Sequence, residues 1–138
     1  MKPLFFGEAE HRLYGVYHPP AKGGRHAVLL CYPGMQEYNS AHWVFRRLAT
    51  TLAREGHHVL RFDYFGTGDS DGESDLATPQ SAVADVLTAA RELRDLSRVG
   101  DAPSQTARIM RFGPLGKINA PAVYDRARLG SIAQSGKN

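Results

Sequence analysis

The sequence predicts an α/β domain, a mostly parallel sheet flanked by helices, followed by an irregular C-terminal tail. Three observations lead there. The run Ala27-Val28-Leu29-Leu30-Cys31-Tyr32 is continuously apolar, the mark of a strand covered on both faces. Short apolar runs at 27–32 and 57–62 alternate with two longer stretches of helical period, at 41–53 and 82–96. Strand–helix–strand–helix is the order that builds parallel sheets. Near Gly100 both periods fade, so residues 1–100 are read as the folded part and 101–138 as a divergent basic tail, irregular or disordered.

In chain order, Leu4-Phe5-Phe6 and Leu13-Tyr14-Gly15-Val16-Tyr17 are aromatic and β-branched runs that suit two opening strands of a hairpin. Pro19-Pro20 and Gly23-Gly24 break the chain before the buried strand at 27–32, and Pro33-Gly34 turns it afterwards. Asn39 or Ser40 is the candidate cap of the first helix. Its apolar positions are Ala41, Val44, Phe45, Leu48, Leu52 and Ala53, and Gly56 is placed to stop it. Strand pattern returns at 57–62. Thr78-Pro79 then opens the second helix with proline at its first position, and its apolar face is Ala82, Val83, Val86, Leu87, Ala90, Leu93 and Leu96.

Size and composition narrow the class. A chain of 138 residues, 42% apolar, makes one domain with a modest core. No apolar stretch approaches the roughly 20 residues of a membrane span, and the N-terminus has too short an apolar core for a secretory signal. The single Cys31 forbids an internal disulfide, so the expected location is cytoplasmic. Residues 1–100 carry 11 Lys/Arg against 12 Asp/Glu, and residues 101–138 carry 6 against 2. The tail's charges are dispersed among Pro, Gly and Ala, with only Phe112 and Tyr124 as aromatics. It reads as a solvated tail, not a nucleic-acid site.

The most specific stretch is Arg61-Phe62-Asp63-Tyr64-Phe65-Gly66-Thr67-Gly68-Asp69-Ser70-Asp71-Gly72, a strand exit into a glycine-punctuated loop. It resembles the Asp-x-Arg-Gly-x-Gly-x-Ser-x-Gly loop of the α/β-hydrolase superfamily, of the serine aminopeptidase or lysophospholipase-like kind. Asp63, Gly66, Gly68, Ser70 and Gly72 match, and Phe65 stands where that family usually has Arg. The resemblance covers residues 1–100 and implies the N-terminal half of that fold. It also implies that Tyr32-Pro33-Gly34-Met35 is the oxyanion loop, with Met35 or Gly34 the candidate N–H donor, since Pro33 has none. From the residues alone, an ordinary strand-ending turn fits Pro33-Gly34 equally well.

The family's reaction is hydrolysis of an ester, thioester or amide in a small-molecule acyl substrate through a Ser–acid–His triad. That triad runs Ser, acid, His along the chain, with the Ser in Gly-x-Ser-x-Gly. Here Gly113-Pro114-Leu115-Gly116 stands where the elbow is expected, and all six histidines (11, 18, 26, 42, 57 and 58) precede it. Gly130-Ser131-Ile132-Ala133-Gln134-Ser135-Gly136 has the wrong spacing, and Cys31 lies inside a strand as a small buried hydrophobe. No catalytic residue is identifiable. The reading is a truncated or frameshifted form of a longer hydrolase, inactive alone. The alternative is a small non-catalytic α/β module that binds a ligand or partner through the same loops.

Other chemistries fit worse. A dinucleotide fingerprint built on Gly66 and Gly68 needs glycine at the position of Asp71. A calcium loop begun at Asp69 puts Ser74 at the turn glycine and Gln80 at the bidentate glutamate. His57 and His58 are neighbours on a strand and face opposite sides, so they do not share a metal. No cofactor or metal is expected. In the family the 27–32 strand lies between the 57–62 strand and the one ending in the nucleophile. With that third strand reduced to Ile109-Met110, one edge of 27–32 is expected to be open and prone to edge-strand self-association.

Overall fold

A computed structural model describes residues 1–32, 38–99, 106–112 and 118–123. The strands are β1 (Lys2–Glu8), β2 (His11–His18), β3 (His26–Cys31), β4 (His57–Phe62), β5 (Thr106–Phe112) and β6 (Ile118–Val123). The helices are α1 (Tyr38–Arg54), between β3 and β4, and α2 (Pro79–Ser97), between β4 and β5. All six strands form one sheet in the order β1-β2-β4-β3-β5-β6. β4, β3 and β5 are parallel, and antiparallel strands flank them on either side.

The expected continuous apolar strand is at the centre. Its alternate residues feed two cores, because successive side chains of a strand point to opposite faces. Ala27, Leu29 and Cys31 join Phe6, Leu13, Leu60, Phe62, Ala89 and Leu93 under α2. Val28, Leu30 and Tyr32 join Val59, Phe45 and Ala49 under α1. Leu29, Leu30 and Leu60 are each at most 1% exposed. Fully burying such a side chain contributes about 1.5–3 kcal/mol. The helix stops follow the sequence signals. Thr78 caps α2 in a reciprocal pair with Ser81, and Pro79 opens the helix. Gly56 takes φ +99° after α1, where a Cβ would meet the Lys22 carbonyl at 2.5 Å.

Two expectations are corrected. The third parallel strand is not a remnant at Ile109-Met110: β5 has seven residues and pairs with β3 from His26↔Thr106 to Cys31↔Arg111. The 27–32 strand therefore has partners on both sides, and the open edge expected there is closed. Alternating small, charged and apolar residues in Thr106-Ala107-Arg108-Ile109-Met110-Arg111-Phe112 hid the strand. Within 101–138, residues 106–112 and 118–123 are strand. Finally, α1 already runs at Tyr38, so Asn39 and Ser40 lie in its first turn and are not its cap.

Candidate functional site

β3 and β4 are parallel, so Cys31 and Phe62 end them on the same side of the sheet, where ligands of open α/β folds are bound. The loop leaving β4 there is tied by its own polar groups. Asp63, 4% exposed, accepts from the Asp69 N–H at 3.1 Å through its carboxylate. Its carbonyl accepts from Ser70 Oγ at 2.6 Å, and Ser70 Oγ accepts in turn from the Tyr14 N–H at 2.8 Å. Thr67 N–H and Oγ1 both donate to the Tyr64 carbonyl, and Gly66 N–H donates to the Asp71 carbonyl.

The glycines are there for backbone reasons. Gly66, Gly68 and Gly72 take φ of +77°, +52° and +94°, the left-handed region that side chains disfavour. At Gly66 a Cβ would stand 2.5 Å from the Glu73 carbonyl oxygen, and at Gly72 one would strike the Phe65 ring. Asp63, Gly66, Gly68, Ser70 and Gly72 are thus brought together as one structural unit. Gly34 and Met35, the oxyanion-loop candidates, lie outside the described residues.

Two further attachments were missed by sequence reasoning. On the α2 side, Asp85 is 1% exposed, and its carboxylate accepts from the Phe65 N–H and bonds His11 Nε2, each at 2.8 Å. His11 also stacks on the Phe65 ring, with centroids 3.8 Å apart. Asp85 falls on the same helical face as Ala82, Ala89 and Leu93, and a carboxylate on an apolar face was the available signal. At the loop's far end, Arg12 grips Asp71 through Nε, Nη2 and its backbone N–H. These bonds hold the Asp71 carboxyl below its ordinary pKa and the Arg12 guanidinium above its own.

On the α1 side, Arg61 is buried in β4 beside His18. Arg61 Nε donates to His18 Nε2 at 3.2 Å, so His18 is neutral and carries its proton on Nδ1. Burial first, and the Arg61 charge second, push the His18 pKa down to about 4. Burial also raises the Tyr32 phenol, against a smaller opposing effect of its hydrogen bond with Arg61. Tyr32 stacks on His42 and contacts Phe45, which anchors the start of α1 to the end of β3. Among the described residues no three His, Cys, Asp or Glu gather as metal ligands.

Comparison of whole structures decides the architecture. The α/β serine hydrolase without a lid from Xanthomonas campestris superposes with a TM-score of 0.62 at 20% identity, over 80% of this chain and 50% of that one. An α/β serine hydrolase homologue from Coxiella burnetii gives 0.63 at 17% identity, over 80% and 51%. The fold is that of the α/β hydrolases. A soluble variant of monoglyceride lipase from Saccharomyces cerevisiae shares the α/β-hydrolase fold more distantly, at 0.58 and 19% identity, over 81% of this chain and 34% of that one. The chain spans about half the length of the first of these relatives and corresponds to the N-terminal half of the fold. By sequence, no family model and no curated protein matches it.

Proposed function

We propose that the chain carries the scaffold half of a serine hydrolase for ester, thioester or amide bonds in a small acyl substrate, and that alone it does not hydrolyse them. One observation carries this reading. β5 pairs with β3 on the side away from β4, the slot of the family's nucleophile strand, yet it continues into Gly113-Pro114-Leu115-Gly116. That stretch of sequence holds no serine to serve as the nucleophile. The hydroxyl of Ser70 is already committed to Asp63 and Tyr14. The truncated or frameshifted origin is part of the same proposal.

A second reading, a small non-catalytic α/β binding module, has one observation in its favour. β6 covers the outer side of β5 as an antiparallel strand of the same chain, which is how a self-contained sheet ends. A fluorophosphonate probe with a short-chain nitrophenyl ester assay tests inactivity: no labelled serine and no turnover are expected, and stoichiometric labelling overturns the claim. Sequencing the encoding DNA beyond codon 100 in all frames separates the two origins. A Gly-x-Ser-x-Gly in a shifted frame supports the hydrolase half; its absence supports the module.

A further inference from the structure

The outer face of α1 has a composition that its inner face does not require. Phe45, Ala49 and Ala53 are buried against the sheet, and Leu48 and Leu52 pack beside them. That satisfies the helix's structural role. Facing away are Trp43, 62% exposed, and Val44, 51% exposed, together with exposed Arg46, Arg47, Thr51 and Arg54. Trp43, Arg47, Thr51 and Arg54 recur at intervals of three and four, so they form one stripe along the helix. From Trp43 to Arg54 that stripe is about 17 Å long.

Its charge is of one sign: α1 holds three arginines and no aspartate or glutamate. The Arg47 guanidinium lies 4.8 Å from the centre of the Trp43 ring, so the indole sits within the cationic stripe, not apart from it. An exposed indole costs hydration unless something apolar covers it, and three exposed arginines against one neighbouring carboxylate, Glu55 just past the helix, favour anions. One surface supplies both over a flat length of that size. An anionic bilayer presents phosphates to arginine and an interfacial layer to tryptophan.

We propose that α1 is a peripheral membrane-docking surface, laid along anionic lipid with Trp43 and Val44 dipping into the headgroup layer and Arg46, Arg47 and Arg54 on lipid phosphates. An acidic protein is the less favoured occupant, because it would answer the arginines and leave the indole without a reason. With only two exposed apolar side chains on this face, Trp43 and Val44, attachment is mainly electrostatic, reversible and salt-sensitive. The proposal is independent of the catalytic reading.

Trp43 is the only tryptophan in the chain, so its emission reports on this face alone. The full 138-residue chain is mixed with vesicles of phosphatidylcholine, or of equimolar phosphatidylcholine and phosphatidylglycerol, and followed by emission and co-sedimentation. A blue shift and co-sedimentation are expected with the anionic vesicles only, both reversed by salt. R46E/R47E, two exposed changes whose folding circular dichroism verifies, should weaken binding by at least about tenfold, since each cation near such a surface is worth about 1 kcal/mol. Trp43→Ala should weaken it further in the sedimentation assay. An unshifted emission overturns the proposal, as does co-sedimentation that R46E/R47E leaves intact, which would place binding on the basic C-terminal residues. An equal emission shift with soluble polyglutamate overturns it in favour of an acidic protein.

Discussion

Replacing Asp85 by alanine should loosen the molecule at one definable place. The carboxylate is 1% exposed, and one oxygen holds the Phe65 N–H at 2.8 Å while the other holds His11 Nε2. Removing it leaves the Phe65 N–H, at the edge of the core under α2, without its partner. An orphaned buried donor costs about 1–3 kcal/mol. The His11 ring is 39% exposed and regains water, so losing its bond adds about 1 kcal/mol or less, even where His11 is protonated and the contact is an ion pair. The sum, about 1–4 kcal/mol, is a sizeable part of the roughly 5–15 kcal/mol that holds a domain of this size. Urea unfolding followed by far-ultraviolet circular dichroism measures it, with an unchanged m-value indicating an unchanged unfolded state. Asp85→Asn keeps an acceptor for Phe65 and the same volume, and should lose less than half as much. A loss below about 0.5 kcal/mol in the alanine variant, the level of an ordinary surface substitution, would refute the clip.

Two other perturbations test neighbouring parts. Gly66→Ala should cost about 2 kcal/mol or more in the same assay, from left-handed strain of about 1–2 kcal/mol plus the approach to the Glu73 carbonyl. Gly23→Ala, at φ +69° with nothing within 4 Å of a Cβ, should show the strain alone, and equal losses at both positions would discard the steric argument. His18 should make stability fall with acidification. With its pKa near 6.5 unfolded and about 4 folded, the unfolded chain binds the proton first. The penalty is absent above about pH 6.5 and grows to roughly 3 kcal/mol as pH falls through 4. His18→Gln, which keeps an acceptor for Arg61, should flatten the decline between pH 6.5 and 4.5; parallel curves for the two proteins contradict the assignment.

Much of the fold was legible because its signals are local. The double-faced apolar run at 27–32, the Thr78-Pro79 start and the Gly56 stop each depend on a few adjacent residues, and each is where the pattern placed it. The loop's glycines were legible for the same reason, since positive φ is a property of the residue itself. The features that sequence hid were set by distant partners. β5 is a strand because β3 offers it a full row of backbone groups, not because its side chains alternate cleanly. Asp85 and Arg61 look like interruptions of apolar patterns until His11, Phe65 and His18 are brought beside them across 20 to 74 residues of sequence.

The same distinction bears on what holds the 63–72 loop in place. The partners that fix the 63–72 loop, from Arg12 and Tyr14 to Asp85, lie before residue 99. Among the described residues, these partners lie on β2 and α2. Through these bonds the loop joins the β1–β2 hairpin and α2 to the end of β4. β5 has a different task. Without it, the side of β3 away from β4 would present unpaired backbone in the apolar middle of the sheet, at about 1–3 kcal/mol for each buried group left unmet. Over the six paired positions along β3 that cost is about 6–18 kcal/mol, comparable to the whole stability of an ordinary domain. Selection for folding alone is enough to require a strand in that slot, whatever residues come after it. A fully formed β5 is therefore no evidence, by itself, of chemistry at its end.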